Sequence, residues 1–110
     1  MDTAFNYDIA ALEKAVALLD HRRITILTLL MGGTKRFGVL RSELRGIAQK
    51  TLAANLRVLE SAGLVSRQVF AEVPPRVEYT LTEAGHRLRP VLDSLAQWSQ
   101  EALKYNGKED

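Results

Sequence analysis

Pro74 and Pro75 restrict this chain more than any other pair of neighbours. Neither has a backbone N–H to give a β-ladder, so neither belongs inside a paired central strand. They stand between two alternating stretches, Leu64–Phe70 and Val77–Leu81, and therefore mark the tip of a two-stranded hairpin. The linker Ala71–Arg76 is too long for a two-residue turn. Just before the hairpin, a helix is predicted from about Ala48 to Ala62, with Leu52, Leu56 and Leu59 as its inward stripe and Gly63 as its stop.

The rest of the chain is mostly helical. Ile9, Leu12, Val16 and Leu19 recur at three- and four-residue steps and predict a first helix over about residues 6–19; Ala15 and Leu18 make it apolar on a second side. Asp20 is placed to cap a second helix from about Arg22 to Met31, nearly all apolar after Arg23 and expected in the core, with Gly32-Gly33-Thr34 ending it. A third helix is predicted from Phe37 to Leu44, and Arg45-Gly46 turns the chain into the fourth, making a helix-turn-helix. Thr82 caps a last helix carrying Leu88, Val91, Leu92, Leu95 and Trp98, in which Pro90 should produce a kink; residues after about Tyr105 read as a frayed tail.

This order predicts an α+β, mainly α fold: a winged helix-turn-helix with terminal dimerisation helices. The 110 residues suit one domain, with an N-terminal dimerisation helix at 6–20, a winged core at 21–82 and a C-terminal helix at 83–105.

The net charge of +2 hides a strong segregation. Residues 21–50 carry seven Lys or Arg against the single acid Glu43, whereas residues 1–20 carry one Lys against four acids and residues 90–110 two Lys against four acids. A locally basic block is what a phosphate-facing surface requires, although most charge runs are only solvated faces. Arg22 and Arg23, beside His21, open the second helix at its positive end, where a solvated terminus is the ordinary account.

Helix four offers base-reading chemistry opposite its leucines. Gln49 and Asn55 have the amides that pair with adenine, Lys50 can reach guanine acceptors, Thr51 and Ala54 offer methyls for thymine, and Arg57 adds a cation. In the hairpin, Arg76 at the stiffened tip suits a minor groove or a phosphate, and Arg67 a further phosphate. Arg36 and Arg41 flank helix three, which in this architecture crosses the sugar-phosphate backbone. The expected partner is double-stranded DNA.

Other chemistries find little footing. Cysteine is absent, which removes disulfides, thiolate metal sites and thiol redox sensing from these residues. His21 and His86 belong to no cluster at metal-ligand spacing, and no glycine-rich phosphate loop follows a strand. No catalytic residue, metal or cofactor is expected. There is no membrane-length apolar run and no signal pattern at the start, so the expected location is cytoplasmic. The apolar stripes at both ends exceed what a thin winged core covers. Ile9, Leu12, Val16, Leu92, Leu95 and Trp98 are expected to form the interface of a two-fold homodimer. An apolar cleft between the terminal helices would leave room for a small-molecule effector that nothing in the sequence identifies.

Lys35–Leu44, Gly46-Ile47, Gln49–Leu52, Leu56–Glu60, Gly63–Arg67, Val73–Leu81 and Leu92–Trp98 together resemble the HxlR-type winged-helix transcriptional regulators, over about residues 10 to 100. The resemblance implies a dimeric, sequence-specific regulator of bacteria or archaea, with Gln49, Lys50, Thr51 and Asn55 facing the major groove and Arg76 in the wing. Three departures stand out. The N-terminal cysteine that many members use to sense oxidants is missing, so that mechanism does not carry over. Asp20-His21-Arg22-Arg23 replaces the usual Gly-Gly-Lys-Trp. Ala48 stands where a capping serine is common, a loss of about 1 kcal/mol. The competing function is a winged-helix protein–protein interaction module whose basic face meets an acidic partner; it would not need both a stiff basic tip and a polar helix face.

Overall fold

The computed structural model describes residues 7–103; the far ends of the predicted terminal helices and the predicted tail lie outside them. Six helices and a three-stranded antiparallel sheet follow the chain in the order α1 (Ile9–Leu18), α2 (His21–Leu30), β1 (Lys35–Arg36), α3 (Phe37–Glu43), α4 (Gln49–Ser61), β2 (Val65–Phe70), β3 (Arg76–Leu81), α5 (Glu83–His86) and α6 (Leu88–Ala102). The architecture is a winged helix.

Each boundary has a local cause. Asp8 and Asp20 cap α1 and α2, their carboxylates accepting from the backbone N–H of Ala11 and Arg23 at 3.1 and 3.0 Å. Ala48, before α4, makes no side-chain cap bond, as its methyl dictates. Gly63 ends α4 at φ +80°, a left-handed conformation in which a side chain would be strained.

β2 and β3 pair in register from Val65 opposite Leu81 to Phe70 opposite Arg76. On the other edge of β3 lies β1, giving the order β1-β3-β2. β1 has no counterpart in the sequence reading. Its two residues are cationic and show no alternation; they become a strand only because Lys35 and Arg36 meet Tyr79 and Glu78.

The core sits where α2, α3 and α4 converge on the sheet. Ile26, Leu27, Leu30, Leu40, Leu52, Leu56, Leu59, Val65, Tyr79 and Leu81 are buried there. The second helix buries only one side, since Thr28 is exposed and Ile24 and Leu29 are half-buried. Thr82 joins three elements: its Oγ1 accepts from Gly85 N at 3.1 Å, capping α5, and donates to Gly63 O at 2.6 Å. A Cβ at Gly85 would lie 2.3 Å from the Leu64 carbonyl oxygen, so the chain crosses there only as glycine.

The last helical segment is broken rather than bent. α5 is one turn, Arg87 has φ −69° and ψ −12°, and α6 begins at Leu88. Pro90 then falls in the first turn of α6, where its missing N–H leaves no helical bond unmade. Neither α1 nor α6 buries a residue. No helix among the described residues is long and apolar enough to cross a membrane.

Candidate nucleic-acid interface

α4 presents Gln49, Lys50, Ala54 and Arg57 to solvent on the side away from its leucine stripe. The hairpin stands next to it. Between them runs a concavity of about 600 Å³ lined by Arg36, Gln49, Ala53, Arg67 and the hairpin tip. A second hollow, lined by Arg57, Glu60 and Arg67, continues it along α4.

The cations divide into two sets according to whether a carboxylate already holds them. Lys35 pairs with Glu43 at 3.3 Å and Arg67 with Glu60 at 3.6 Å. Arg76 pairs with both Glu72, at 2.8 Å, and Glu78. By contrast, Arg36, Lys50 and Arg57 have neither an ion pair nor a side-chain hydrogen bond among the described residues. Arg41 makes only a 3.3 Å bond from Nε to the Ile47 carbonyl, which ties α3 to the turn and leaves its charge unneutralised. Those four lie along β1, α3 and α4, around the exposed face of the helix-turn-helix.

Two expected contacts are corrected. Asn55 is buried, not groove-facing: its Nδ2 donates to Thr51 O at 2.9 Å and its Oδ1 accepts from Arg23 Nη1 at 2.9 Å. Both ends of the amide are engaged inside the protein. The spacing held the signal, because Asn55 is three residues after Leu52 and four before Leu59, on the apolar stripe itself. Thr51, its neighbour in this network, is half-buried.

Arg76 does not reach out from the tip either. It opens β3, and its guanidinium carbon lies 3.8 Å from the centre of the Phe70 ring. Glu72, in the connecting turn, and Glu78, two residues further along β3, hold it from two sides. The hydrogen bond to Glu72, chiefly, pushes the Arg76 pKa up, and the same bond draws the Glu72 carboxyl below its ordinary value. Arg76 braces the wing; the exposed tip itself is Val73, Pro74 and Pro75.

Arg23 is not part of a solvated helix terminus but a clasp. Only 16% of its side chain is exposed, and it meets Asp20 Oδ2 at 3.3 Å. Nε donates to Leu18 O at 2.6 Å, Nη2 to Ala17 O at 3.0 Å and Nη1 to Asn55. The end of α1, the start of α2 and the middle of α4 are fastened at one guanidinium.

Ile9, Leu12, Val16, Leu95 and Trp98 are exposed on the terminal helices, and Leu92 is half-buried. Pro90, Val91, Ser94, Leu95 and Trp98 line an open hollow on α6 to which α1 contributes no residue, so this hollow is not the expected cleft between terminal helices. No group of three or more His, Cys, Asp or Glu able to hold a metal occurs among the described residues.

Known proteins are similar to this chain in sequence and in fold. YkvN of Bacillus subtilis, described as an HTH-type transcriptional regulator, is 48% identical over 73 residues, which are 66% of this chain and 62% of that protein. The chain thus matches less than two thirds of that relative's length. A solved structure of a regulator assigned to the MarR family, from Enterococcus faecalis, superposes with a TM-score of 0.81 at 34% identity, covering 98% of this chain and 99% of that one. The reduced form of the regulator YodB from B. subtilis gives 0.75 at 39% identity over 81% of this chain and 88% of that one. Residues 18–106 match the family model described as HxlR-like helix-turn-helix, and the chain belongs to that family.

Proposed function

We propose that this protein is a transcriptional regulator that binds double-stranded DNA sequence-specifically as a homodimer. The observation that carries the reading is the segregation of charge: the cations free of carboxylates surround the exposed face of α4, whereas those in the wing are neutralised. α4 enters the major groove and Gln49, Lys50 and Arg57 meet base edges or flanking phosphates, with Thr51 at the margin. Arg36 and Arg41 position the domain on the backbone. The wing acts through its shape, with Arg67 at its base held by Glu60 and Arg76 held by Glu72 and Glu78. Exposed Ile9, Leu12, Val16, Leu95 and Trp98, flanked by Leu92, form the two-fold contact that sets half-site spacing at about 34 Å.

YodB is described in a reduced form, so a redox state is part of that relative's description. These 110 residues hold no cysteine, and any sensing within them uses other chemistry. We place the protein in the cytoplasm with its DNA.

Footprinting on the chain's own upstream region tests the reading. Protection of a two-fold sequence is expected, and Lys50→Ala should reduce the preference for that sequence over random DNA by about 1–3 kcal/mol. Binding that never distinguishes any sequence from random DNA at moderate salt would overturn it.

A further inference from the structure

Away from the wing, the surface continues past the start of α4. Arg41, Ser42, Gly46 and Ile47 line one hollow. It shares Gly46 and Ile47 with a notch of about 290 Å³ lined also by His21, Arg22, Thr25 and Arg45. The same sequence of hollows shares Gly38 with the concavity beneath the wing. One concave track therefore runs from the hairpin, past the exposed end of α4, to the junction of α2 with the α3–α4 turn.

The charge of the notch is uncompensated. Arg22 and Arg45 are exposed and have neither an ion pair nor a side-chain hydrogen bond among the described residues. The acids nearest in sequence are already engaged: Asp20 by Arg23 at 3.3 Å, and Glu43 by Lys35 at 3.3 Å. Leu44 and Ile47, half-buried, contribute the apolar part of the notch lining. A pocket lined by two free guanidiniums and no carboxylate suits an anion with several acceptor oxygens.

We propose that this notch holds a phosphate of the DNA backbone, extending the contact beyond α4 at the end remote from the wing, with Arg22 and Arg45 as its cationic walls. The proposal rests on the DNA-binding reading. Continuity with the reading helix favours DNA over a separate acidic partner, because a duplex laid along α4 would pass over the same track. Contacts of this kind add affinity and register but carry no base preference.

The test compares the salt dependence of wild-type protein with Arg22→Gln/Arg45→Gln and Arg45→Gln, on a protected duplex and a random-sequence duplex of equal length. Both arginines are exposed, so the thermal midpoint should not move. Each phosphate contact contributes about 0.9 to the log–log salt slope. With one phosphate in the notch of each protomer of the dimer, the slope should fall by about 2 in the double variant and by less in the single, while the ratio of protected to random affinity stays constant. An unchanged slope in the double variant, with Lys50→Ala still lowering that ratio, would overturn the notch and leave the DNA-binding reading standing. If neither duplex binds wild-type protein, both fall together.

Discussion

Asn55 and Arg23 form a polar pair inside an otherwise leucine-rich junction. Arg23 brings into it a guanidinium that needs partners on several sides. It finds them in the Ala17 and Leu18 carbonyls, in Asp20 and in the Asn55 amide. Removing one partner leaves the other's polar atoms half-buried and unpaired, which costs about 1–3 kcal/mol. Asn55→Ala and Arg23→Met should each destabilise the protein by that order in chemical denaturation at fixed protein concentration. The double variant should lose less than their sum, with a coupling of about 1 kcal/mol. Strict additivity would show that the two side chains stabilise the fold independently.

At the scale of elements, the wing is held by its own hairpin register. Pairing Phe70 with Arg76 sets the guanidinium over the ring, and the turn returns Glu72 to the same charge. Glu72 has a folded-state pKa below its ordinary value, so its contribution to stability is present above the ordinary carboxylate range. It is lost as pH falls through the lowered folded value, when the protonated carboxyl releases Arg76. Carboxyl ¹³C NMR should show Glu72 titrating below the ordinary glutamate range, with wing resonances shifting in the same step. A Glu72 midpoint at the ordinary value would mean that the pair has no hold on the wing in solution.

The whole molecule is longer than its core requires. Its radius of gyration is 16.9 Å, against about 13 Å for a compact domain of about 100 residues, and it extends over 61 × 38 × 22 Å. α1 and α6 are helices with no buried residue, and Val16 is 74% and Trp98 56% exposed. Apolar arms of this size need a partner, and in a two-fold dimer each supplies the other's. Sedimentation should give about twice the 12.3 kDa chain mass, and Leu95→Ser/Trp98→Ser should shift it to the monomer while helical circular dichroism is retained. A wild-type chain that stays monomeric at tens of micromolar would remove the two-fold contact from the proposed function.

Local chemistry alone determined a great deal. The leucine period of α4, the Pro-Pro punctuation of the hairpin, and the capping aspartate and threonine before α2 and α5 are properties of a few neighbouring residues, and they sufficed for the winged order of elements. Backbone propensity and periodicity act over one or two turns, so a sequence displays them directly. Whether a polar side chain is free is a different kind of question. Asn55 and Arg23 are 32 residues apart and meet only because α2 packs on α4. β1 exists only because β3 offers it an edge. Arg76 looked like an exposed fingertip until the hairpin closed and put two carboxylates and a phenyl ring around it. The division of one basic block into neutralised braces and free, solvent-facing cations was made by tertiary structure, because electrostatic partnership depends on distance through space.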